Sequence, residues 1–162
     1  MPAKKAAAFL PIAALLQAYA TNNRINAYLI ENLPEEAWRA APAGGKGRDI
    51  GSIAAHVHNV RVMWLKAAGA KDLPAKLDSD SATKRDVLRA MDASWRALEV
   101  LLQTALESDG HIKGFKPDVC SFLAYLIAHD AHHRGQIAML ARQTGHPVSQ
   151  GTMFGLWEWG TR

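Results

Sequence analysis

Residues 119–140 have the sequence VCSFLAYLIAHDAHHRGQIAML. Apolar side chains recur in this stretch at intervals of three and four, which is the spacing of one face of an α-helix. The clearest members of that face are Phe122, Leu126, Ile137 and Leu140. With His129 set at 0° and about 100° per residue, the centre of the apolar face lies at roughly 75°. The stretch therefore predicts a long helix with one side buried in a core.

The flanking residues indicate where this helix begins and ends. We expect it to begin at Pro117, because proline is favoured at the first helical position, with Asp118 complementing the helix dipole. We expect it to end at Gly145, with Pro147 just beyond the last turn.

Two further amphipathic segments precede it in the first half of the chain. The first covers about residues 7–33 and is ended by Pro34. The second covers about residues 50–68, follows a predicted N-cap at Asp49, and stops near Gly69. Both are long enough to cross a small domain.

The remaining predicted helix, third in chain order, starts after the cluster Asp78-Ser79-Asp80-Ser81. Its apolar stripe, with members three and four residues apart, consists of Leu88, Met91, Trp95, Leu98 and Leu102. Four helices joined by modest loops predict an all-α, up-down-up-down four-helix bundle. We treat residues 1–162 as a single domain, with the aromatic tail 146–162 packing back on the bundle; a dimer surface or a pocket wall is the alternative for the tail.

Charge and cysteine content narrow the function classes. The formal net charge is +4, yet no window holds five or six basic residues, so we expect no nucleic-acid partner. The single cysteine, Cys120, cannot form an internal disulfide and suits a reducing cytoplasm. We expect Cys120 to be a small buried residue and not a nucleophile.

The N-terminus resembles a secretory signal in one respect. Lys4 and Lys5 precede an apolar run over residues 6–16. The apolar pattern continues to Leu33, however, so cleavage would remove half of a helix that the bundle needs. We therefore expect a cytoplasmic protein, and no run is long enough to predict a membrane span.

Five of the seven histidines fall on two predicted helices, and their angular positions separate them. His129 at 0° and His133 at about 40° lie on the inward side of the last long helix, whereas His132 at about 300° points away. On the 50–68 helix, His56 borders the apolar stripe, while His58, about 200° away, is expected to face outward. An i, i+4 pair and one inward histidine on a second helix are typical of a metal site with open positions.

The interpretation as a metal site competes with a simpler one, in which each histidine is a core residue bonded to a carbonyl. Three polar rings in one core are costly without a shared partner, which favours a divalent metal on His56, His129 and His133. Such a donor set suits zinc, nickel, iron or copper.

The sequence leaves the location of some polar residues near the predicted site undecided and favours a surface location for others. The amides of Asn22, Asn23 and Asn26 either line a polar pocket, where they orient ligands, or lie where the first helix is exposed. Asp130, next to His129, either orients an imidazole or is solvated, and we expect it to be solvated. We expect Arg134 to lie on the surface. Gln136 is close enough in angle to reach the pocket mouth, and Gly135 indicates a close helix approach.

A family resemblance rests on two stretches. Residues 126–137, LIAHDAHHRGQI, resemble the signature helix of the DinB/YfiT-like superfamily, and residues 50–57, IGSIAAHV, resemble its partner motif. The resemblance extends to the order and lengths of the four helices. It implies a four-helix bundle, commonly a homodimer, with a zinc or nickel ion held at the matching positions His56, His129 and His133.

The resemblance also implies a chemistry. Some relatives are thiol transferases that use a low-molecular-weight thiol such as bacillithiol or mycothiol, and one branch is a mycothiol-dependent isomerase. We therefore expect a metal-dependent thiol S-transferase with a small-molecule substrate, acting in detoxification or stress response. The alternatives are a metal-dependent hydrolase, with Glu158 considered as general base, and a non-catalytic metal-binding stress protein.

Overall fold

The protein is described by a computed structural model that covers residues 9–162. Its elements in chain order are α1 (Pro11–Glu31), α2 (Ile50–Ala68), α3 (Lys84–Leu106), β1 (His111–Ile112), β2 (Phe115–Asp118), α4 (Val119–Gln143) and α5 (Gln150–Gly155). Two single 3₁₀ turns, Glu35–Ala37 and Ala43–Gly45, lie between α1 and α2. The predicted all-α four-helix bundle is confirmed. Within residues 9–162, no helix combines the length and apolar character needed to cross a lipid bilayer.

The ends of α2 and α3 are set by local capping. Asp49 Oδ1 accepts a hydrogen bond from Ser52 N at 2.7 Å, and Gly69 ends α2 with a left-handed φ of 87°. The predicted bounds of this helix are confirmed. At the start of α3, Thr83 and Asp86 form a reciprocal capping box.

Two predicted helix starts differ from the structure. The first helix begins at Pro11 and not near residue 7, since residues 9 and 10 precede it; residue 7 itself, Lys4 and Lys5 lie outside the described residues. The last long helix begins at Val119 and not at Pro117, because residues 115–118 pair as a strand with β1. Asp118 is the N-cap of α4 and accepts from Ser121 N at 2.8 Å.

The direction of each helix follows from two apolar clusters at opposite ends of the bundle. We call them the Ile50 cluster and the Phe122 cluster. From N- to C-terminus, members of these clusters are Tyr19 then Leu29 on α1, Ile50 then Leu65 on α2, Val87 then Leu98 on α3, and Phe122 then Ile137 on α4. The helices α1 and α4 therefore run from the Phe122 cluster to the Ile50 cluster, while α2 and α3 run the other way. The order of directions is up-down-down-up, where strict alternation was expected.

The connection over residues 69–83 explains why α2 and α3 are parallel. It returns along the outside of α2, where His58 Nε2 donates to Ala75 O at 2.9 Å and Ser52 Oγ donates to Ser79 O at 3.1 Å. The chain thus reaches the starting end of α2 before α3 begins. This segment also covers His58, which is fully buried. The prediction that His58 faces outward is wrong for that reason.

A layer of buried polar side chains lies on the helices between the two clusters. Its members, all at most 9% exposed, are Asn22, Asn23, Asn26, Arg61, Ser94 and Asp130. Buried polar groups at this density require partners inside the protein. The three asparagines are therefore buried, as in the first of their two interpretations.

The C-terminal tail contacts α1 through its last residues. Arg162 places its guanidinium carbon 3.7 Å from the centre of the Tyr28 ring, and its backbone oxygen accepts from Arg24 at 2.9 Å. Trp157, in contrast, is 79% exposed. The tail is attached to the bundle by Arg162 and by Val148 and Leu156, which pack against apolar residues of the core, and not by Trp157.

We expect Gly51→Ala to destabilise the protein by about 1–3 kcal/mol. An added Cβ would lie 2.7 Å from Arg39 Cζ and 2.9 Å from Trp38 Nε1. The arginine cannot move away freely, because it is hydrogen-bonded to Asp49 and to the backbone oxygen of Ser79. Urea denaturation measures the change in the free energy of unfolding.

Gly135→Ala is the matched control on another helix. A Cβ there would meet nothing within 4 Å, so the prediction of a close helix approach at Gly135 is wrong. Alanine lowers the entropy of the unfolded chain, so we expect this variant to gain about 0.5–1 kcal/mol. Equal stability of the Gly51 and Gly135 variants would contradict the packing at Gly51.

Candidate metal centre

The structure brings His56, His129 and His133 together at the surface between α2 and α4. The ring centroids are 5.6 Å apart for His56 and His129, 4.9 Å for His56 and His133, and 4.5 Å for His129 and His133. One nitrogen from each ring lies within 4.8 Å of the other two. Nitrogens around a tetrahedral zinc ion, with bonds of about 2.0–2.1 Å, are about 3.3 Å apart. Small side-chain rotations are thus enough for the cluster to hold one ion.

The helix geometry explains this convergence. His129 and His133 are one turn apart on α4, so they lie on the same face of that helix, and their rings meet edge to face. The helix α2 runs antiparallel beside α4. His56 and His129 are half-buried, whereas His133 is 7% exposed. One side of the cluster therefore faces solvent, so a small molecule can approach it.

The surroundings of His56 and His133 favour the neutral form of their imidazoles. Burial, followed by the positive charge of Arg48 and the two neighbouring rings, lowers the pKa of His56 to about 4. Burial also lowers the pKa of His133, against a smaller opposing effect of its hydrogen bond to Gln136. Neutral imidazole is the form that binds a metal, so these rings are ready to act as ligands near neutral pH.

Gln136 sets the orientation of His133. Its Oε1 lies 2.8 Å from His133 Nδ1, and its amide nitrogen lies 3.0 Å from His132 Nε2. Because the amide oxygen only accepts, His133 Nδ1 carries the proton and Nε2 keeps a free lone pair. Gln136 thus orients a candidate ligand. His132 is exposed, as its angle predicted.

Asp130 is buried at the inner edge of the cluster, and the prediction that it is solvated is wrong. It is 2% exposed, and its Oδ2 accepts from Asn22 Nδ2 at 2.7 Å, Asn26 Nδ2 at 2.9 Å and Arg61 Nη2 at 2.8 Å. Burial alone would raise the pKa of this carboxyl, but the Arg61 charge and the hydrogen bonds hold it at about 2. Asp130 is therefore ionised near neutral pH.

Arg134 continues this network to the other side of the asparagines, and its surface interpretation is wrong. Its Nη1 donates to Asn22 Oδ1 at 2.7 Å and to Asn26 Oδ1 at 2.6 Å. Each amide therefore accepts from Arg134 and donates to Asp130. The pair forms a bridge that connects α1 to two residues of α4.

Sequence reasoning did not identify Arg61, although a signal was present. Arg61 is 1% exposed and donates to Asn23 Oδ1 at 2.7 Å as well as to Asp130. Its angle on α2 is about 140° from His56, in the same direction as the buried Ile50 at about 120°. Asp130 likewise lies about 25° from the centre of the apolar face of α4. The position of each residue on its helix indicates burial. Both residues are charged, however, and charged residues are usually expected at the surface.

Two residues considered for catalysis lie away from the cluster. Cys120 is exposed, contrary to the expectation that it is buried, and its angle on α4 is about 180° from His129. Glu158 pairs with Arg162 at 3.2 Å. The neighbouring tail residue Trp157 borders a cavity with Ala131 and Ala138, on the side of α4 about 180–200° from His129.

An aromatic wall flanks the histidine cluster. It consists of Trp64, Phe115, Phe122 and Tyr125, with the ring of Trp64 5.5–5.7 Å from each of the other three. The ring of Tyr125 lies 6.1 Å from that of His129, at an interplanar angle of 27°. The β-hairpin supplies Phe115 to this wall. The cluster is thus polar on the side of Asp130 and apolar on the side of Tyr125.

Comparison with known proteins identifies the fold and the family of this chain. A crystal structure of a DinB-like protein from Bacillus cereus ATCC 10987 is similar, with a TM-score of 0.60 and 23% sequence identity over 85% of this chain and 95% of that chain. At this identity the likeness shows the fold alone. No curated protein matches the chain. The sequence profile of the DinB family matches residues 1–160, and the chain therefore belongs to the DinB family.

Proposed function

We propose that this protein is a metal-dependent enzyme that joins a small thiol to an electrophile, with His56, His129 and His133 as the metal ligands. The observation that carries the proposal is the convergence of three imidazoles on a partly solvent-exposed surface. Three neutral nitrogen donors suit zinc or nickel and leave at least one coordination position for a substrate.

The charge balance of the cluster favours an anionic ligand. The donors are three neutral rings, so they leave the charge of a divalent ion uncompensated. Arg48 adds a positive charge that is close enough to lower the pKa of both His56 and His133. The carboxylate of Asp130 is already balanced by Arg61 at 2.8 Å. A thiolate fits these conditions better than a neutral or cationic ligand.

The nucleophile is supplied by the substrate in this proposal. Cys120 and Glu158 lie away from the histidines. A divalent ion held by His56, His129 and His133 would lower the pKa of a thiol bound beside them, so that the thiolate would exist near neutral pH. The thiolate sulfur would form a bond to the electrophilic carbon, the leaving group would depart with the electrons of its broken bond, and the thiol proton would have passed to solvent.

The aromatic wall supports an apolar electrophile. Tyr125 and Trp64 are half-buried, so their rings offer contact surface beside His129. Aromatic rings bind flat apolar groups through stacked and edge-to-face contacts. The polar network on the opposite side of the cluster holds the ligands and is closed to substrate, since Asp130 and Arg61 are buried.

A spectroscopic experiment tests thiol binding separately from turnover. The protein is loaded with Co(II), and N-acetylcysteine is added, with N-acetylserine as the matched oxygen analogue. We expect a new sulfur-to-cobalt charge-transfer band when N-acetylcysteine is added and no such band when N-acetylserine is added. In the zinc form, conjugation of N-acetylcysteine to 1-chloro-2,4-dinitrobenzene is expected to be faster than the uncatalysed reaction and to lose that advantage on addition of a chelator.

The outcomes separate the candidate functions. Absence of the charge-transfer band in protein that retains its cobalt would contradict thiol chemistry and leave the metal site intact. Hydrolysis is less well supported, because Glu158, the general base considered for it, is paired with Arg162 in the tail.

A further inference from the structure

The two oxygens of the Asp130 carboxylate have different surroundings. Oδ2 accepts all three of the hydrogen bonds from Asn22, Asn26 and Arg61. Oδ1 faces the other way and lies 3.9 Å from His129 Nδ1. This distance is about 1 Å longer than a hydrogen bond, so a small rotation of the His129 ring is enough to close it.

The carboxylate cannot turn to exchange its oxygens. Three donors on two helices hold Oδ2, and two of those donors are themselves held by Arg134. Asp130 and Arg61 have side chains that are 1% exposed, so water does not compete for these bonds. A fixed negative oxygen beside Nδ1 stabilises the form of the ring that carries its proton there.

We propose that Asp130 is a positioning residue that holds His129 as the Nδ1–H tautomer and thereby presents Nε2 to the metal. Gln136 has the same relation to His133, with an acceptor oxygen 2.8 Å from Nδ1. Both α4 histidines then offer Nε2, and each has its other ring nitrogen beside an acceptor oxygen, as is usual for histidines that bind a metal. The consequence for metal binding rests on the proposed function, whereas the tautomer is a property of the metal-free protein.

The substitution Asp130→Asn makes a specific prediction. An asparagine has one acceptor oxygen, and the three donors at the Oδ2 position would hold it there. Its NH₂ group would then face His129 Nδ1 and donate to it. We expect the tautomer of His129 to invert to Nε2–H, which removes the lone pair that the metal needs.

The tautomer is measured in uniformly ¹⁵N-labelled, metal-free protein by long-range ¹H–¹⁵N correlation near pH 8, with His129 assigned by its absence in His129→Gln. We expect Nδ1–H in the wild type and Nε2–H in Asp130→Asn. The affinity of the variant for Co(II) is expected to fall about 10- to 100-fold. Gln136→Met is the matched control: it removes the acceptor from His133 and leaves the tautomer of His129 unchanged.

The wild-type spectrum tests the proposal even if Asp130→Asn does not fold. An Nε2–H ring at His129 in the wild type would overturn it, and so would an unchanged tautomer in a folded Asp130→Asn variant. A protein that shows the expected tautomers and takes up no metal would contradict the proposed function and leave the role of Asp130 standing.

Discussion

Replacing His133 with alanine is expected to abolish metal binding. Elemental analysis of wild-type protein, purified without a nickel column, should find about one divalent ion per chain, and less than about a tenth of that in His133→Ala. Loss of a residue that merely orients a ligand lowers metal affinity about 10- to 100-fold, and loss of a ligand itself is expected to cost more. His133 is 7% exposed and has His56 and His129 as neighbouring rings.

His132→Ala is the control for this experiment. It removes an exposed imidazole from the adjacent position of the same helix and should retain most of the metal. The wild-type protein should also lose thermal stability when a chelator is added, because a ligand at 100 times its Kd stabilises the folded state by about 2.7 kcal/mol. His133→Ala should show no such chelator effect. Equal metal content in His133→Ala and wild type would contradict the three-histidine site.

Arg61→Ala is expected to cause the largest loss of stability, about 3–5 kcal/mol. The substitution leaves the Asp130 carboxylate buried without its counter-charge. It also removes the hydrogen bond that Asn23 Oδ1 accepts from Arg61 at 2.7 Å. An unpaired buried charge is far more costly than the net contribution of the intact pair. Urea denaturation in the presence of a chelator measures the effect on the bundle without a contribution from bound metal.

The exposed pair of Arg96 and Asp92 provides the comparison. These side chains lie 3.0 Å apart on one face of α3, and both are more than half exposed. Arg96→Ala should therefore leave the urea midpoint of unfolding nearly unchanged, because solvent screens an exposed ion pair. A loss below about 1 kcal/mol in Arg61→Ala would indicate that Asp130 is not held as an ion by this arginine.

Local sequence patterns predicted the helices because their causes are local. The three- and four-residue spacing of apolar side chains, the Asp49 cap and the Gly69 stop all act within a few residues. The observed bounds of α2 agree with the predicted range of about residues 50–68. The hairpin before α4 was not predicted. Its strands β1 and β2 are two and four residues long, too short for an alternating pattern to be recognised.

The predictions that proved wrong concern what lies outside a helix. His58 was placed at the correct angle, but the surface at that angle is covered by residues 69–83. Gly135 was expected to face another helix and faces open space. Angle on a helix gives the direction of a side chain, and it does not say which other part of the chain occupies that direction.

The convergence of the three histidines is the part of the candidate site that the linear order of residues was sufficient to predict. Two of them are one helical turn apart, and the third borders the apolar stripe of its own helix, so their directions follow from 3.6 residues per turn. The network behind them depends on the folded chain. Asn22 and Asp130 are 108 positions apart, and Arg61 and Asp130 are 69 apart. Such contacts are formed by the packing of α1, α2 and α4 against each other, and no periodicity within a single helix encodes them.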